Sequence, residues 1–243
     1  MKKSVVAVIP SRYGSTRFPG KPLALINNKP MIQWVYEKVE KINEIDAVYV
    51  ATDDKRIFDA VNSFNGKVIM TSSENNSGTD RIAEALSKIP QKFDIVLNVQ
   101  GDEPMIREEM LIPLISSFED SEVYYSTLKY EINNEKEIND PNIAKVLTDS
   151  LGYAIYFSRR TIPYNRDNLD NNKYYKHIGV YAYKYDFLLR FSQMQSSYLE
   201  NMEQLEQLRA IENGYKIKVI ESKYQSIGVD LPEHIEILEK HLL

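Results

Sequence analysis

The stretch "VVAVIPSRYGSTRFPGKP", residues 5–22, decides how this chain is read. Its first six residues are continuously apolar and rich in valine, without the alternation of a strand that has one wet face. Such a run suits a strand covered on both faces, as in a parallel sheet. The loop that follows carries Arg12, Arg17 and Lys21 together with Gly14 and Gly20. Glycine reaches backbone conformations closed to other residues, so the loop can turn its amides inward around an anion while the cations supply side-chain charge. A solvated turn accounts for the same composition, and the rest of the sequence has to choose.

Three further apolar runs, "AVYVATDD", "KVIMTSS" and "DIVLNVQGDEP", repeat the pattern and are separated by segments of helical spacing. In "KPMIQWVYEKVEKI" the residues Ile32, Val35, Val39 and Ile42 fall on one stripe, and "KRIFDAVNSF" is a shorter case. "GTDRIAEALSKI" is expected to form a helix with Thr79 as its N-cap. Strand alternating with helix predicts an α/β fold, with a mostly parallel sheet and right-handed crossovers. Ligands of such sheets collect at the carboxyl ends of the strands. Residues 12–21, Asp53, Asp54, residues 77–81 and residues 100–103 all fall there.

Beyond residue 120 the pattern changes to tyrosine and β-branched residues, which predicts a smaller β-rich lobe. "NIAKVLTDSLGYAIYFSR" reads as a hairpin turning at Ser150, Leu151 and Gly152. "YLENMEQLEQLRAIENGYKIKVIES" predicts one helix closed at Gly214 and then a strand. A last short helix is expected from about Pro232.

The 243 residues suit one large domain or two small ones, and one core with an appended lobe is expected. With 43% hydrophobic and 27% charged residues the composition is globular. A net charge of −5 argues against a general nucleic-acid binder, which needs surplus cations to displace counterions from phosphate. The absence of cysteine removes disulfides, thiolate catalysis and cysteine-based metal sites. The apolar stretch behind Lys2 and Lys3 is too brief for a signal-peptide core or a bilayer span, so a cytoplasmic protein is expected.

The glycine loop is not a Walker A motif, because five residues separate Gly14 from Gly20–Lys21 and Pro22 stands where the metal-binding hydroxyl belongs. No G-x-G-x-x-G dinucleotide fingerprint is present either. "NVQGDEP" places Gln100 and Asp102 at the end of a strand expected beside the first, so that a carboxylate would face the cradle. Phosphates beside a carboxylate commonly share a divalent cation, and Mg²⁺ is satisfied by one or two carboxylates with phosphate oxygens and water. Asp102 is equally readable as a turn residue, and Asp230 in "IGVDLPEHI" as a helix cap.

Taken together, "PSRYGSTRFPGKPL", "YVATDD", "SGTDR", "LNVQGDEP", "YFSRRTIP", "KHIGVYAY", "LEQLRAIENG" and "GVDLPEHI" resemble the 3-deoxy-manno-octulosonate (Kdo) cytidylyltransferases, the CMP-Kdo synthetases, in order and over nearly the whole chain. The resemblance implies a three-layer Rossmann-like nucleotidyltransferase fold in which residues 1–120 mainly hold CTP and residues 121–243 mainly hold the sugar and build a homodimer. It implies transfer of CMP from CTP to the anomeric hydroxyl of a Kdo-type sugar acid, with release of pyrophosphate, for lipopolysaccharide synthesis. Arg12, Lys21, Asp102 and Asp230 would be catalytic, with Mg²⁺ on Asp102 and Asp230. Ser11, Arg12, Lys21, Ser77, Gly78, Arg81 and Gln100 would hold the nucleotide. Gln100, Arg159, His177, Tyr181, Glu206 and Gln207 would hold the sugar. His177 and Tyr181 would share one strand face, and Glu206 would lie on a helix.

Many members of that family carry His before "SGTER", whereas this chain has "NNSGTDR", with Asn75 and Asp80. That departure and "SKYQSIGVD" look closer to the branch acting on 8-amino-3,8-dideoxy-manno-octulosonate. Other classes to be weighed are a cytidylyltransferase for another acidic sugar such as a sialic-acid relative, a non-catalytic nucleotide sensor, and a metal-dependent glycosyltransferase.

Overall fold

The computed structural model describes residues 2–14, 18–167, 169, 172–225, 228–229 and 231–240. The chain runs from β1 (Val5–Ser11) through a short 3₁₀ turn (Lys21–Leu23) into a ribbon of β2 (Leu25–Ile26) and β3 (Lys29–Pro30). Next come α1 (Met31–Glu40), β4 (Ala47–Thr52), α2 (Lys55–Ser63), β5 (Val68–Met70), α3 (Gly78–Lys88), β6 (Ile95–Asn98) and α4 (Glu108–Ser116). β7 (Tyr125–Glu131), α5 (Glu135–Asn139), β8 (Lys145–Thr148) and β9 (Ala154–Ser158) precede the long β10 (Tyr175–Lys184). The chain continues with α6 (Tyr185–Ser192), α7 (Tyr198–Glu203), α8 (Leu208–Glu212), β11 (Lys218–Glu221) and α9 (His234–Glu239).

The main sheet has the order β11–β7–β10–β6–β1–β4–β5. β1 pairs in parallel with both β4 and β6, and β5 joins β4 in parallel. β10 runs antiparallel to β6 and to β7, and β11 pairs with β7 in parallel. Strands from both halves of the chain thus share one sheet, and the β8–β9 hairpin attaches to it through β10.

β1 shows why its sequence is apolar without alternation. Val5, Ala7 and Ile9 face a core with residues of α1, α2 and α4, while Val6 and Val8 face a second core with residues of α3, α6 and α8. Both faces are covered, so the fold has three layers. The stripe read on α1 is buried as expected at Ile32, Val35 and Val39. The hairpin turn also forms, with Gly152 at φ 78°.

Two helix assignments differ from the sequence reading. Ser77, not Thr79, caps α3: its Oγ accepts the backbone N–H of Asp80 at 3.1 Å. Residues 198–213 form two short helices rather than one, because Gln204 takes a left-handed conformation (φ 53°, ψ 48°) and turns the chain between α7 and α8. Glu206 therefore sits in the break between helices and not on one.

Candidate active site

After β1 the sheet grows outward through β4 and β5, then returns to the other side of β1 with β6. That reversal opens a crevice at the carboxyl ends of β1 and β6, where open α/β sheets bind ligands. Ser11, at the end of β1, and residues 100–102, just beyond β6, line the crevice.

Local packing shapes the first loop. Gly20 has φ 72°, and a Cβ there would lie 2.9 Å from the Tyr13 ring, which is held on its other contacts by the Arg56 guanidinium 3.2 Å from the ring centroid. The N–H of Gly20 donates to the carbonyl of Tyr13 at 2.9 Å, closing the loop and turning Lys21 toward the crevice. Gly101 allows the β6 loop to approach β1, since a Cβ there would come within 2.6 Å of Ser11 Oγ.

The crevice contains two cavities. The smaller, about 310 Å³, is lined by Ser11, Arg12, Lys21, Ser77, Gly78, Arg81, Gln100 and Asp102 among others. The residues that the sequence assigned to nucleotide therefore meet at one place. Lys21 forms an ion pair with Asp102. Arg81, 4% exposed, donates to Asp53 at 2.8 Å, to Thr71 Oγ1 at 2.6 Å and to the carbonyl of Ser72 at 3.3 Å, so its guanidinium ties the end of β4 to the loop after β5. Gln100 donates to Asn98 Oδ1 at 2.8 Å, which fixes its amide. Ser11 Oγ is buried and has no hydrogen-bond partner among the described residues. A buried hydroxyl without a partner is uncommon and marks a place where a ligand can supply one.

The larger cavity, about 1080 Å³, shares the wall of Asn76, Ser77, Gly78, Gln100 and Asp102 with the first. Arg159, Gly179, Tyr181, Glu206 and Arg209 line its far side. Arg159 is anchored by the carbonyl of Glu203 at 2.7 Å, while Arg209 pairs with Glu200 through two contacts of 2.8 and 2.5 Å. Glu206 Oε2 accepts from Thr79 Oγ1 at 2.5 Å. Its Oε1 has Arg209 at 3.8 Å and no hydrogen-bond partner among the described residues. Burial raises the Glu206 pKa, against the lowering by the Thr79 and Ser77 hydroxyls and by Arg209.

His177 and Gln207 do not line either cavity. They bond to each other, with Gln207 Nε2 3.4 Å from His177 Nδ1, and the His177 ring sits 5.4 Å from that of Tyr181. They form a layer behind the wall rather than the wall itself. Burial pushes the His177 pKa down to about 3, so the ring is neutral. Asp230 and Arg17 lie outside the described residues. Val229, next to Asp230 in sequence, donates its N–H to the carbonyl of Asp102 at 3.0 Å.

Sequence reasoning missed Asp53 as the partner of Arg81, the Glu200–Arg209 pair, and Gly179. For Asp53 a signal existed, a carboxylate directly after an apolar strand. Of the two departures in "NNSGTDR", Asn75 lines the smaller cavity and is tied to Glu84 Oε2 at 2.6 Å, while Asp80 lines the larger.

The donor set suits Mg²⁺ that arrives with a polyphosphate. Among the described residues no group of three or more His, Cys, Asp or Glu forms a metal cage, and the Asp102 carboxylate opens to both cavities. One carboxylate with room for phosphate oxygens and water matches the ligand preference of that ion.

The sequence profile of the cytidylyltransferase family matches residues 6–218. A 3-deoxy-manno-octulosonate cytidylyltransferase from Thermodesulfovibrio yellowstonii is 51% identical, covering 98% of this chain and 97% of its own. An 8-amino-3,8-dideoxy-manno-octulosonate cytidylyltransferase from Shewanella piezotolerans is 49% identical and covers 98% of both chains. A solved CMP:2-keto-3-deoxy-manno-octonic acid synthetase complexed with CTP superposes with a TM-score of 0.92 at 42% identity, covering 98% of each chain.

Proposed function

The chain belongs to the family of 3-deoxy-manno-octulosonate cytidylyltransferases and their 8-amino-3,8-dideoxy counterparts, and from that membership we propose that it condenses CTP with a Kdo-type sugar acid to give the CMP-sugar and pyrophosphate. The observation that carries this reading is the wall shared by the two cavities, which would set a triphosphate and an acceptor against each other across Ser77, Gly78, Gln100 and Asp102.

In this reading Arg12 and Lys21 neutralise the triphosphate and the pyrophosphate that leaves. The amides at the start of α3 add the positive end of an eleven-residue helix. Arg159 meets the sugar carboxylate, because its guanidinium bonds to backbone carbonyls and its charge stays available. Tyr181 and the free oxygen of Glu206 meet sugar hydroxyls. The chain contributes mainly position and charge, as is general for displacement at phosphorus. Mg²⁺ would be held by Asp102 and Asp230, and when bound it supplies charge neutralisation at the phosphates and acidifies a coordinated hydroxyl.

The relatives at similar identity act on either sugar, so an amine or a hydroxyl at the sugar's far end is compatible with the chain's membership. The test is release of pyrophosphate from CTP with Kdo, 8-amino-Kdo and sialic acid in turn. Pyrophosphate with one of the first two and not with sialic acid is expected. Nucleotide binding without turnover would indicate a sensor, and release of free nucleotide from a sugar nucleotide would indicate a glycosyltransferase. A homodimer, a cytoplasmic location and a role in lipopolysaccharide synthesis belong to the same proposal.

A further inference from the structure

β10 does not pair evenly with β7. His177 and Ile178 stand opposite Lys129 and Leu128, but the next partners are Tyr181 opposite Thr127, so Gly179 and Val180 have no counterpart. The two extra residues form a bulge, a device that re-aims side chains beside active sites. In a regular strand, residues four apart are separated by roughly 13 Å along the chain. The rings of His177 and Tyr181 nevertheless lie 5.4 Å apart, so the two side chains meet across the bulge.

One hydroxyl fastens this bulge. Thr127, in β7, is fully buried, and its Oγ1 lies 2.8 Å from the carbonyl of Val180, 3.2 Å from that of Ile178 and 2.9 Å from His177 Nε2. The contacts form a consistent set. Two carbonyls can only accept, so the Thr127 O–H donates to them and the His177 Nε2–H donates to Thr127 Oγ1. The other ring nitrogen then accepts from Gln207. The backbone so fixed places Gly179 and Tyr181 in the wall of the larger cavity. At Gly179 an added Cβ would meet nothing within 4 Å, so this part of the wall is open to an occupant.

We propose that Thr127 is a positioning residue for the acceptor: its hydroxyl locks the β10 bulge, and the bulge sets the shape of the cavity in which the sugar acid binds. The proposal rests on the reading that the larger cavity takes the sugar. It assigns to a residue that touches no ligand the control of one substrate and not of the other.

The test uses the full chain and whichever of Kdo and 8-amino-Kdo the wild type turns over faster. Thr127→Val keeps the shape and removes the hydroxyl, and Thr127→Ser keeps the hydroxyl. Thr127→Val is expected to raise KM for the sugar about tenfold, the scale of one lost hydrogen bond, while KM for CTP changes less than about twofold. Thr127→Ser is expected to stay near wild type. Equal changes in both KM values, or a serine variant as impaired as the valine one, would overturn the proposal. Should Thr127→Val fail to fold, Gly179→Ala asks the same question, because its methyl enters open space and leaves the core alone. It must raise KM for the sugar alone, and unchanged sugar KM would sink the idea that the bulge shapes that subsite. A failure of the underlying reading is distinguishable, since the wild type would then release no pyrophosphate with either sugar.

Discussion

At the scale of single residues, the two cavities contrast two kinds of ion pair. Lys21 and Asp102 keep 14% and 33% of their side chains exposed, on the wall of the smaller cavity where an entering ligand reaches the pair. Asp102→Asn is expected to lower kcat about a hundredfold, the range seen when a transition-state charge contact is lost, while thermal unfolding stays near wild type. Unfolding of that variant would assign Asp102 a structural role. Arg81 with Asp53 is the opposite case, with a guanidinium only 4% exposed. Asp53→Ala leaves that cation buried beside Thr71 and Ser72 and is expected to cost about 3 kcal/mol in a urea titration. Around the smaller cavity, Ser11, Arg12, Gln100 and Asp102 were legible because they sit at or within a few residues of the ends of β1 and β6, whereas the roles of Ser77, Gly78 and Arg81 rested on the family resemblance. The distinction between these two pairs was not legible, since burial depends on neighbours from other segments.

At the scale of elements, β10 joins its register to the site. The unfolded chain takes up a proton on His177 near pH 6.5, whereas the folded protein does so only near pH 3. Between those values the unfolded state binds the extra proton, so stability is full above pH 6.5 and falls with pH by up to about 1.4 kcal/mol per unit. Urea midpoints at neutral pH and at about pH 5 should reveal the drop, and His177→Gln, which does not titrate, should reduce it. The strands, α1 and the hairpin were legible from periodicity and turn chemistry. The bulge was not, because two extra residues preserve the alternation and leave no trace in the pattern. The break at Gln204 was hidden too, since a left-handed glutamine carries none of the usual glycine or asparagine signal. The cap of α3 went to Ser77 because Thr79 is drawn to Glu206, a partner far away in sequence.

At the scale of the whole molecule, β6 from the first half pairs with β10 from the second, so the boundary drawn near residue 120 does not divide the fold. The smaller cavity is lined by residues 10–102, whereas the larger draws on both halves. A single cooperative transition is expected, with far-ultraviolet circular dichroism and the fluorescence of Trp34 giving coincident midpoints. Separate midpoints would mean that the halves unfold independently. The position of β10 also governs how the molecule is made. β6 and β7 emerge from the ribosome first, yet they are not neighbours; a slot one strand wide must stay open between them until residues 175–184 arrive. Through that interval the nascent chain holds two facing, unsatisfied strand edges, which are templates for self-association. Chaperone engagement should peak there and cease once the late strand slides in, so protection from aggregation and completion of the larger cavity's wall come in one event.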